Sequence, residues 1–381
     1  MENINSSFLA TEDLKFNKFR IMFNFFKKKP TSFLGVDIGT TSIKIAQLGI
    51  DGDSIKLENY AFLEDKDYLE VLGSVNGSSN LKISDMQVVE DLTEIKKEAK
   101  ITSDDAIMSI PGSSAFSSII SLPNMSEDEI SKAINYEARQ YIPIPLEEVV
   151  FDWSVISKKG EEDKKGSKKI KVLLVAIPKE ITEKYTKIAS ALKLKLIALE
   201  TESFSLARSL IGDEEGAFII VDIGNKMTNV TVIENGYVLA SHSAFGTGGK
   251  EITRAISYGF NIDFKRADKL KKDIGLSFSG PQKKVSETIF PTINIIVSEI
   301  KKTSEMYIRD NKKTVKRVIV TGGSANLPGL VKYFSSELNI SVEIGNPWRN
   351  IVYDKILSRK LKEMSSDFSV AVGLALRGFE K

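Results

Sequence analysis

The feature that most restricts how this chain can fold is an internal repeat. Leu34-Gly35-Val36-Asp37-Ile38-Gly39 runs into Thr40-Thr41-Ser42-Ile43-Lys44-Ile45-Ala46-Gln47-Leu48, and Ile219-Ile220-Val221-Asp222-Ile223-Gly224 runs into Asn225-Lys226-Met227-Thr228-Asn229-Val230-Thr231-Val232-Ile233. Each copy predicts a buried strand, a tight polar turn and a second strand of β-branched and apolar residues. Asp51-Gly52 and Asn235-Gly236 mark a further turn after each second strand. The copies lie too far apart for a solenoid and predict two related α/β domains in one chain. A length of 381 residues allows two or three domains of roughly 100–200 residues each.

Between the copies, residues 104–198 read as a separate α+β unit. Asp105–Ile110 and Ala115–Leu122 are expected strands around Pro111-Gly112, and Ser126-Glu127-Asp128-Glu129 is a capping box that opens a helix. Pro143 and Pro145 stop that helix. Val149–Ser157 and Ile170–Ile177 are two further expected strands, joined by a polar run at 158–169 that reads as an exposed loop, and Glu180–Leu192 is a helix. After the second copy, helices are expected at about 249–260, 264–273, 282–309, 328–338 and 367–379, with a buried strand at Val315–Thr321. The expected organisation is a flexible extension over 1–30, a domain I over 31–215 plus 355–381 with the insertion at about 104–198, and a domain II over 216–354.

Composition removes several classes of function. The sequence has no cysteine and a single histidine, His242, so disulfides, iron–sulfur clusters, thiol catalysis and His-rich zinc sites are excluded. Lys+Arg 53 against Asp+Glu 51 leaves +2, which selects no nucleic-acid partner by bulk charge. No segment has the roughly 18–20 uninterrupted apolar residues of a spanning helix. Glu2, Glu12 and Asp13 break up the first residues, which do not read as an export signal. The expectation is a soluble, cytoplasmic protein. Met22-Phe23-Asn24-Phe25-Phe26-Lys27-Lys28-Lys29-Pro30 reads either as a frayed terminus or as a segment that touches a membrane surface or a partner.

A strand that ends in Asp-x-Gly sets a carboxylate beside exposed backbone amides, and glycine lets those amides approach an anion. Thr40, Thr41 and Ser42 add hydroxyl donors, and Lys44 lies within reach of the turn. Asp is a hard anionic ligand suited to Mg²⁺, usually through water. Either turn alone also reads as an ordinary structural turn. Two matched turns on separate domains suggest instead a polyphosphate held from both sides, with Asp37 and Asp222 flanking the metal. Val320-Thr321-Gly322-Gly323-Ser324-Ala325-Asn326-Leu327-Pro328-Gly329 is a strand entering a side-chain-free turn, which suits an adenine and ribose or is simply a strand–helix turn. Gly246-Thr247-Gly248-Gly249-Lys250 precedes a helix and reads as a second nucleotide contact or a loop. Neither a P-loop nor a Gly-x-Gly-x-x-Gly dinucleotide fingerprint is present.

These pieces together resemble the actin-like ATPase superfamily of actin, chaperone ATPase domains, sugar kinases and FtsA. In that pattern Asp37–Lys44 matches the first phosphate loop, Asp222–Asn229 the second and Val320–Gly329 the adenosine motif. Ala267-Asp268-Lys269-Leu270-Lys271 resembles the Ala-Glu-x-x-Lys segment beside ribose and base, with Asp for Glu. Within the superfamily the chain is most similar to the PilM family of type IV pilus assembly proteins. That similarity is carried by Phe33–Thr40 with Lys44, by Ile110-Pro111-Gly112 leading to Ser121–Ser126, by Tyr136-Glu137-Ala138 before Tyr141-Ile142-Pro143-Ile144-Pro145, and by Ala371–Gly378.

The resemblance implies an ATP- or ADP-binding, FtsA-like scaffold with Mg²⁺ in an interdomain cleft. Its nucleotide-binding residues would be Gly39, Thr40, Thr41, Ser42, Lys44, Gly224, Asn225, Lys226, Gly248, Gly249, Asp268, Lys271, Gly322, Gly323 and Ser324. It further implies a partner, the cytoplasmic tail of a PilN-like single-span inner-membrane protein, held in a groove between the core of domain I and its insertion near Pro111, Tyr141, Ile142, Pro143, Ile144 and Pro145. Membrane association would be indirect, through that partner and other pilus assembly proteins. Glu202 is the candidate for a catalytic role near an attacking water, and it reads equally as a helix-start carboxylate favoured by the helix dipole. Hydrolysis is expected to be slow or absent. The alternatives are a sugar-type small-molecule kinase and a filament-forming ATPase.

Overall fold

The computed structural model describes residues 31–64, 85–156, 169–277, 280 and 282–380. The expected extension at 1–30 lies outside these residues. So does the polar run at 158–169, apart from Lys169.

The chain begins with β1 (Ser32–Ile38), β2 (Ser42–Asp51), β3 (Ser54–Glu64), α1 (Asp85–Glu98) and β4 (Asp105–Ile110). β5 (Phe116–Pro123), α2 (Glu127–Ala138), β6 (Val149–Val155), β7 (Lys169–Pro178), α3 (Lys179–Ala191), β8 (Lys195–Thr201) and α4 (Glu202–Leu210) follow. The second half holds β9 (Ala217–Ile223), β10 (Met227–Glu234), β11 (Tyr237–Phe245), α5 (Gly249–Phe260), α6 (Phe264–Ile274) and α7 (Lys283–Asn311). It closes with β12 (Val315–Thr321), α8 (Leu330–Leu338), β13 (Ser341–Ile344), β14 (Ile351–Val352), α9 (Ser358–Glu363) and α10 (Ser369–Arg377).

The repeat becomes two sheets of the same order. One reads β14-β3-β2-β1-β4-β8 and the other β11-β10-β9-β12-β13. Each is a three-strand meander flanked by parallel strands, so β1 corresponds to β9, β2 to β10 and β4 to β12. Registers match as well, with Asp37 opposite Lys44 on β2 and Asp222 opposite Asn229 on β10. Continuous apolar runs form the central strands because both faces are covered, and Leu34, Val36, Ile219 and Val221 are all buried.

α4 and α10 lie between the two sheets. Leu206, Leu210, Val370 and Leu374 join Phe33 and Ile107 of one sheet to Phe218, Ile220 and Ile319 of the other in a single apolar cluster. A buried ion-pair junction reinforces this seam. Arg208 on α4 donates to Glu200 at 2.9 Å, to Glu380 at 2.6 Å and to the Gly373 carbonyl of α10 at 3.0 Å.

The third sheet, β5-β7-β6, carries its own core with α2. The capping box forms as expected: Ser126 accepts from the Glu129 amide, and Glu129 accepts from the Ser126 amide at 2.7 Å. This separate sheet runs only from Phe116 to Pro178, narrower than the expected 104–198. β4 and β8 pair with each other in the six-stranded sheet, and α3 packs on the core beneath it. β14 pairs with β3 in that same sheet, although its residues 351–352 fell within the expected domain II. In both cases the hydrogen-bond ladder, not proximity in sequence, decides membership.

Candidate functional site

The strand ends of both large sheets open onto one cavity of about 390 Å³. β1 and β9 bring the twin carboxylates to it, and their parallel neighbours β4 and β12 bring Pro111-Gly112 and Gly322-Gly323. This is where an open α/β sheet places its ligand, outside the carboxyl ends of its strands.

The two turns close alike. The Gly39 amide donates to the Ser42 carbonyl at 2.9 Å, and the Gly224 amide to the Met227 carbonyl at 3.0 Å. Asp37 is almost fully buried, with one oxygen accepting from Ser109 at 2.8 Å and the other facing Lys44 at 3.5 Å. Asp222 accepts from Asn229. The matched position seven residues after each aspartate therefore serves that carboxylate, as a cation in one half and as an amide in the other.

Charge is unbalanced here. Asp37, Asp222, Glu202 and Asp367 line the cavity with Lys44. Burial, then repulsion from Asp37, raises Asp222 to about 6. Burial, then Asp222 and Asp37, raises Glu202 to about 8, against a hydrogen bond from the Gly112 backbone. Burial also raises Asp367 against the pull of Lys44. Lys44 itself is raised: burial works to lower it, and Asp37, Asp367 and Asp222 together outweigh that. A site where four carboxylates crowd Lys44 favours a polyphosphate that brings a cation with it. Asp37 and Asp222 fit the metal role. Among the described residues no group of three or more His, Cys, Asp or Glu could hold a metal alone. The other ligands would therefore be water and phosphate oxygens, as is usual for Mg²⁺.

On the other flank, Gly322 has φ +88° and donates to the Ser366 carbonyl at 3.2 Å. A Cβ there would strike Asp222 and the Ile223 backbone, so only glycine lets the turn lie against the aspartate. Thr321 donates to the Ser366 carbonyl at 3.0 Å, tying this turn to the start of α10. Asp268 binds Lys271 at 2.6 Å and Lys272 at 2.9 Å, and Lys271 also donates to Thr253 at 2.7 Å. Burial depresses Lys271 despite that partner.

The structure brings Gly39, Thr40, Thr41, Ser42, Lys44, Gly224, Asn225, Lys226, Gly249, Asp268, Lys271, Gly322, Gly323, Ser324 and Glu202 to the wall of this cavity with Asp37 and Asp222. Gly248 does not line it. It caps α5 behind the second turn, where a Cβ would overlap the Asn225 carbonyl. Sequence reasoning missed Ser109, Asn229, Lys272 and Asp367, and it missed that Pro111-Gly112-Ser113 lines the cleft. The signal for the last was present. Pro111-Gly112 ends β4 as Gly322-Gly323 ends the corresponding β12.

The residues expected at the partner groove fall in different places. Tyr141, Ile142 and Pro143 line a second cavity of about 620 Å³, whose other walls are Phe116–Ile119 of β5, Thr201, Ser203 and Phe204 at the start of α4, and Val238–Ser243 of β11. It therefore lies between the small sheet and the edge strand of the five-stranded sheet. A crevice of about 20 Å³ lies between the small sheet and β8. Pro111 belongs to the first cavity, and Ile142 is 6% exposed and forms part of the small sheet's core. Ile144 packs on that core, and Pro145 caps the short turn at 146–148, so neither lines the groove.

Comparison with known proteins places this arrangement. A family model described as type IV pilus assembly protein PilM matches residues 35–379. The cell division protein FtsA of Enterococcus faecalis is 25% identical over 238 residues, 54% of this chain and 53% of that protein, so the match spans about half the length of that relative. A solved PilM–PilN type IV pilus biogenesis complex shares the fold, with a TM-score of 0.76 at 22% identity over 93% of this chain and 100% of that one. MreB5 of Spiroplasma citri bound to ADP gives 0.50 at 14% identity, over 91% of this chain and 95% of that one. The fold is that of the actin-like ATPases.

Proposed function

The chain belongs to the PilM family of type IV pilus assembly proteins, and from that premise we propose that it is a nucleotide-binding scaffold at the inner face of the cytoplasmic membrane. It takes ATP or ADP with Mg²⁺ in the cleft between its two large sheets. It holds the N-terminal tail of a PilN-like single-span membrane protein in the groove between β5 and β11. No described helix is long and apolar enough to cross a membrane, and on this reading the partner ties the chain to one.

The observation that carries this reading is the convergence of two homologous Asp-x-Gly hairpins, one from each sheet, on a single cavity with the Gly322-Gly323 turn. Asp37 and Asp222 would stand on either side of the metal, Gly39–Ser42 and Gly224–Lys226 would offer amides and hydroxyls to the phosphates, and Lys44 would neutralise one of them. Bound Mg²⁺ supplies the positive charge that makes a polyphosphate compatible with the buried carboxylates. Gly322-Gly323 and Lys271 would border the nucleoside.

The two cavities share a wall. Gly112 lines both, and at the start of α4 Glu202 faces the cleft while Ser203 and Phe204 face the groove. A ligand that bound one closure of the cleft better than another would bias the groove by that difference in affinity and no more. A sugar-type kinase would need an ionised base near neutral pH. Glu202, the candidate in this cleft, stays protonated up to about 8 in the unloaded protein. On this reading turnover is slow or absent.

The test is calorimetric titration of the full chain with Mg-ATP, alone and with a synthetic tail peptide of the partner. The expected results are saturable nucleotide binding that Asp222→Asn weakens at least about tenfold, and peptide binding that Phe204→Ala weakens. Absence of nucleotide binding in the wild-type chain, or rapid phosphate release stimulated by a sugar, overturns the reading.

A further inference from the structure

We propose that the tip of the α5–α6 helical hairpin is a second, direct contact with the membrane, one that recognises an anionic lipid surface. This goes beyond the scaffold reading and does not depend on the cleft or the groove.

The tip puts three aromatic rings in solvent within seven residues. Tyr258 is 80% exposed, Phe260 37% and Phe264 46%. Soluble surfaces leave single apolar side chains uncovered, and a cluster of large ones marks an interaction site. The local chain explains why they cannot retreat. α5 ends on Asn261 in the left-handed conformation, and Asp263 caps α6 by accepting from the Arg266 amide at 2.9 Å. The connection is thus only three residues long and holds its flanking side chains outward.

Cations surround the rings. Ala267 and Lys271 face the interior, which turns Lys265 and Lys269, four residues apart, onto the outer face of α6. Arg266 is exposed beside them. Among the described residues Lys265, Arg266 and Lys269 form no ion pair, whereas Lys272 on the same stripe is held by Asp268. Exposed aromatics beside unpaired cations match the two layers of an anionic bilayer surface, with rings at the acyl boundary and ammonium and guanidinium groups at the phosphates. A groove for an acidic peptide would instead enclose its occupant, and none of these rings or cations lines the cleft or the groove.

The experiment is flotation of the full chain with vesicles of equal parts phosphatidylglycerol and phosphatidylcholine, compared with phosphatidylcholine alone. The expected result is salt-sensitive binding to the anionic vesicles only. A Lys265→Glu/Arg266→Glu/Lys269→Glu variant should lose roughly 100-fold in affinity, and Tyr258→Ser a smaller factor, with the far-ultraviolet spectrum and melting temperature unchanged. A chain lacking residues 1–30, with its Phe25-Phe26-Lys27-Lys28-Lys29 run, should still bind. Loss of binding in that truncation with retention in the charge-reversed variant overturns the proposal. So does equal binding to neutral vesicles, or capture of polyglutamate by the tip without any binding to vesicles.

Discussion

Glu202 shows how a single residue reports on the cleft. In the unfolded chain its carboxyl ionises at the ordinary 4.5, but in the unloaded fold burial, with Asp222 and Asp37 beside it, defers ionisation to about 8. The unfolded state therefore holds fewer protons between these values, and stability falls as pH rises through the window. The contribution is fully present below about 4.5 and is lost by pH above about 8. We predict that denaturant midpoints of the nucleotide-free protein decline between pH ~5 and ~8.5, and that Glu202→Gln flattens that slope. An equal slope in the variant would place the proton elsewhere. Asp37 and Asp222 were legible because Asp-x-Gly after an apolar run is a local pattern. Asn229 and Asp367 were not. Asn229 acquires its role from strand register, and Asp367 reaches the cleft only because the Thr321 and Gly322 turn hydrogen-bonds to Ser366 beside it.

At the scale of elements, one unforgiving contact is that between α5 and the second turn. The Lys250 amide donates to the Asn225 carbonyl at 2.8 Å and the Gly249 amide to the Gly224 carbonyl at 2.9 Å, so helix and turn touch backbone to backbone. Gly248→Ala would push a methyl into Asn225 and should cost about 1–3 kcal/mol in urea unfolding, while weakening Mg-ATP by displacing the turn. Gly112→Ala, with nothing within 4 Å of the added carbon, is the control and should change stability little. The strands around the two Asp-x-Gly turns, the capped helix α2 and helices α5 to α8 were readable from apolar periodicity and capping, whereas β3, α1, β8, β13 and β14 were not. The edges of the insertion were not, because β4 and β5 are both half-apolar runs either side of Pro111-Gly112, and only pairing with β1 and β8 assigns β4 to the large sheet.

For the whole molecule, the seam between the sheets decides whether the two halves unfold together. Arg208 links β8, α4, α10 and the last described residue, Glu380, through contacts buried from solvent. Removing the guanidinium would leave Glu200, itself 5% exposed, facing only Arg377 at 4.0 Å, and a buried charge stripped of its hydrogen-bonded partner costs on the order of 3–5 kcal/mol. Arg208→Ala should therefore lower the unfolding free energy by about that much. A change below about 1 kcal/mol would mean that water reaches the junction. The pairing of related halves was visible in the repeat. The seam was not, since Arg208, Glu200 and Gly373 are scattered through the sequence and meet only after folding.

The mismatch between Lys44 and Asn229 has one more implication. Had the halves stayed identical, an elongated guest could lie across the interface end for end, because a half-turn would restore the same surroundings. Exchanging an ammonium for an amide at one matched position works against that ambiguity, together with the unlike turns Thr40-Thr41-Ser42 and Asn225-Lys226-Met227. A body assembled by doubling thus gains a front and a back from the positions where its halves differ.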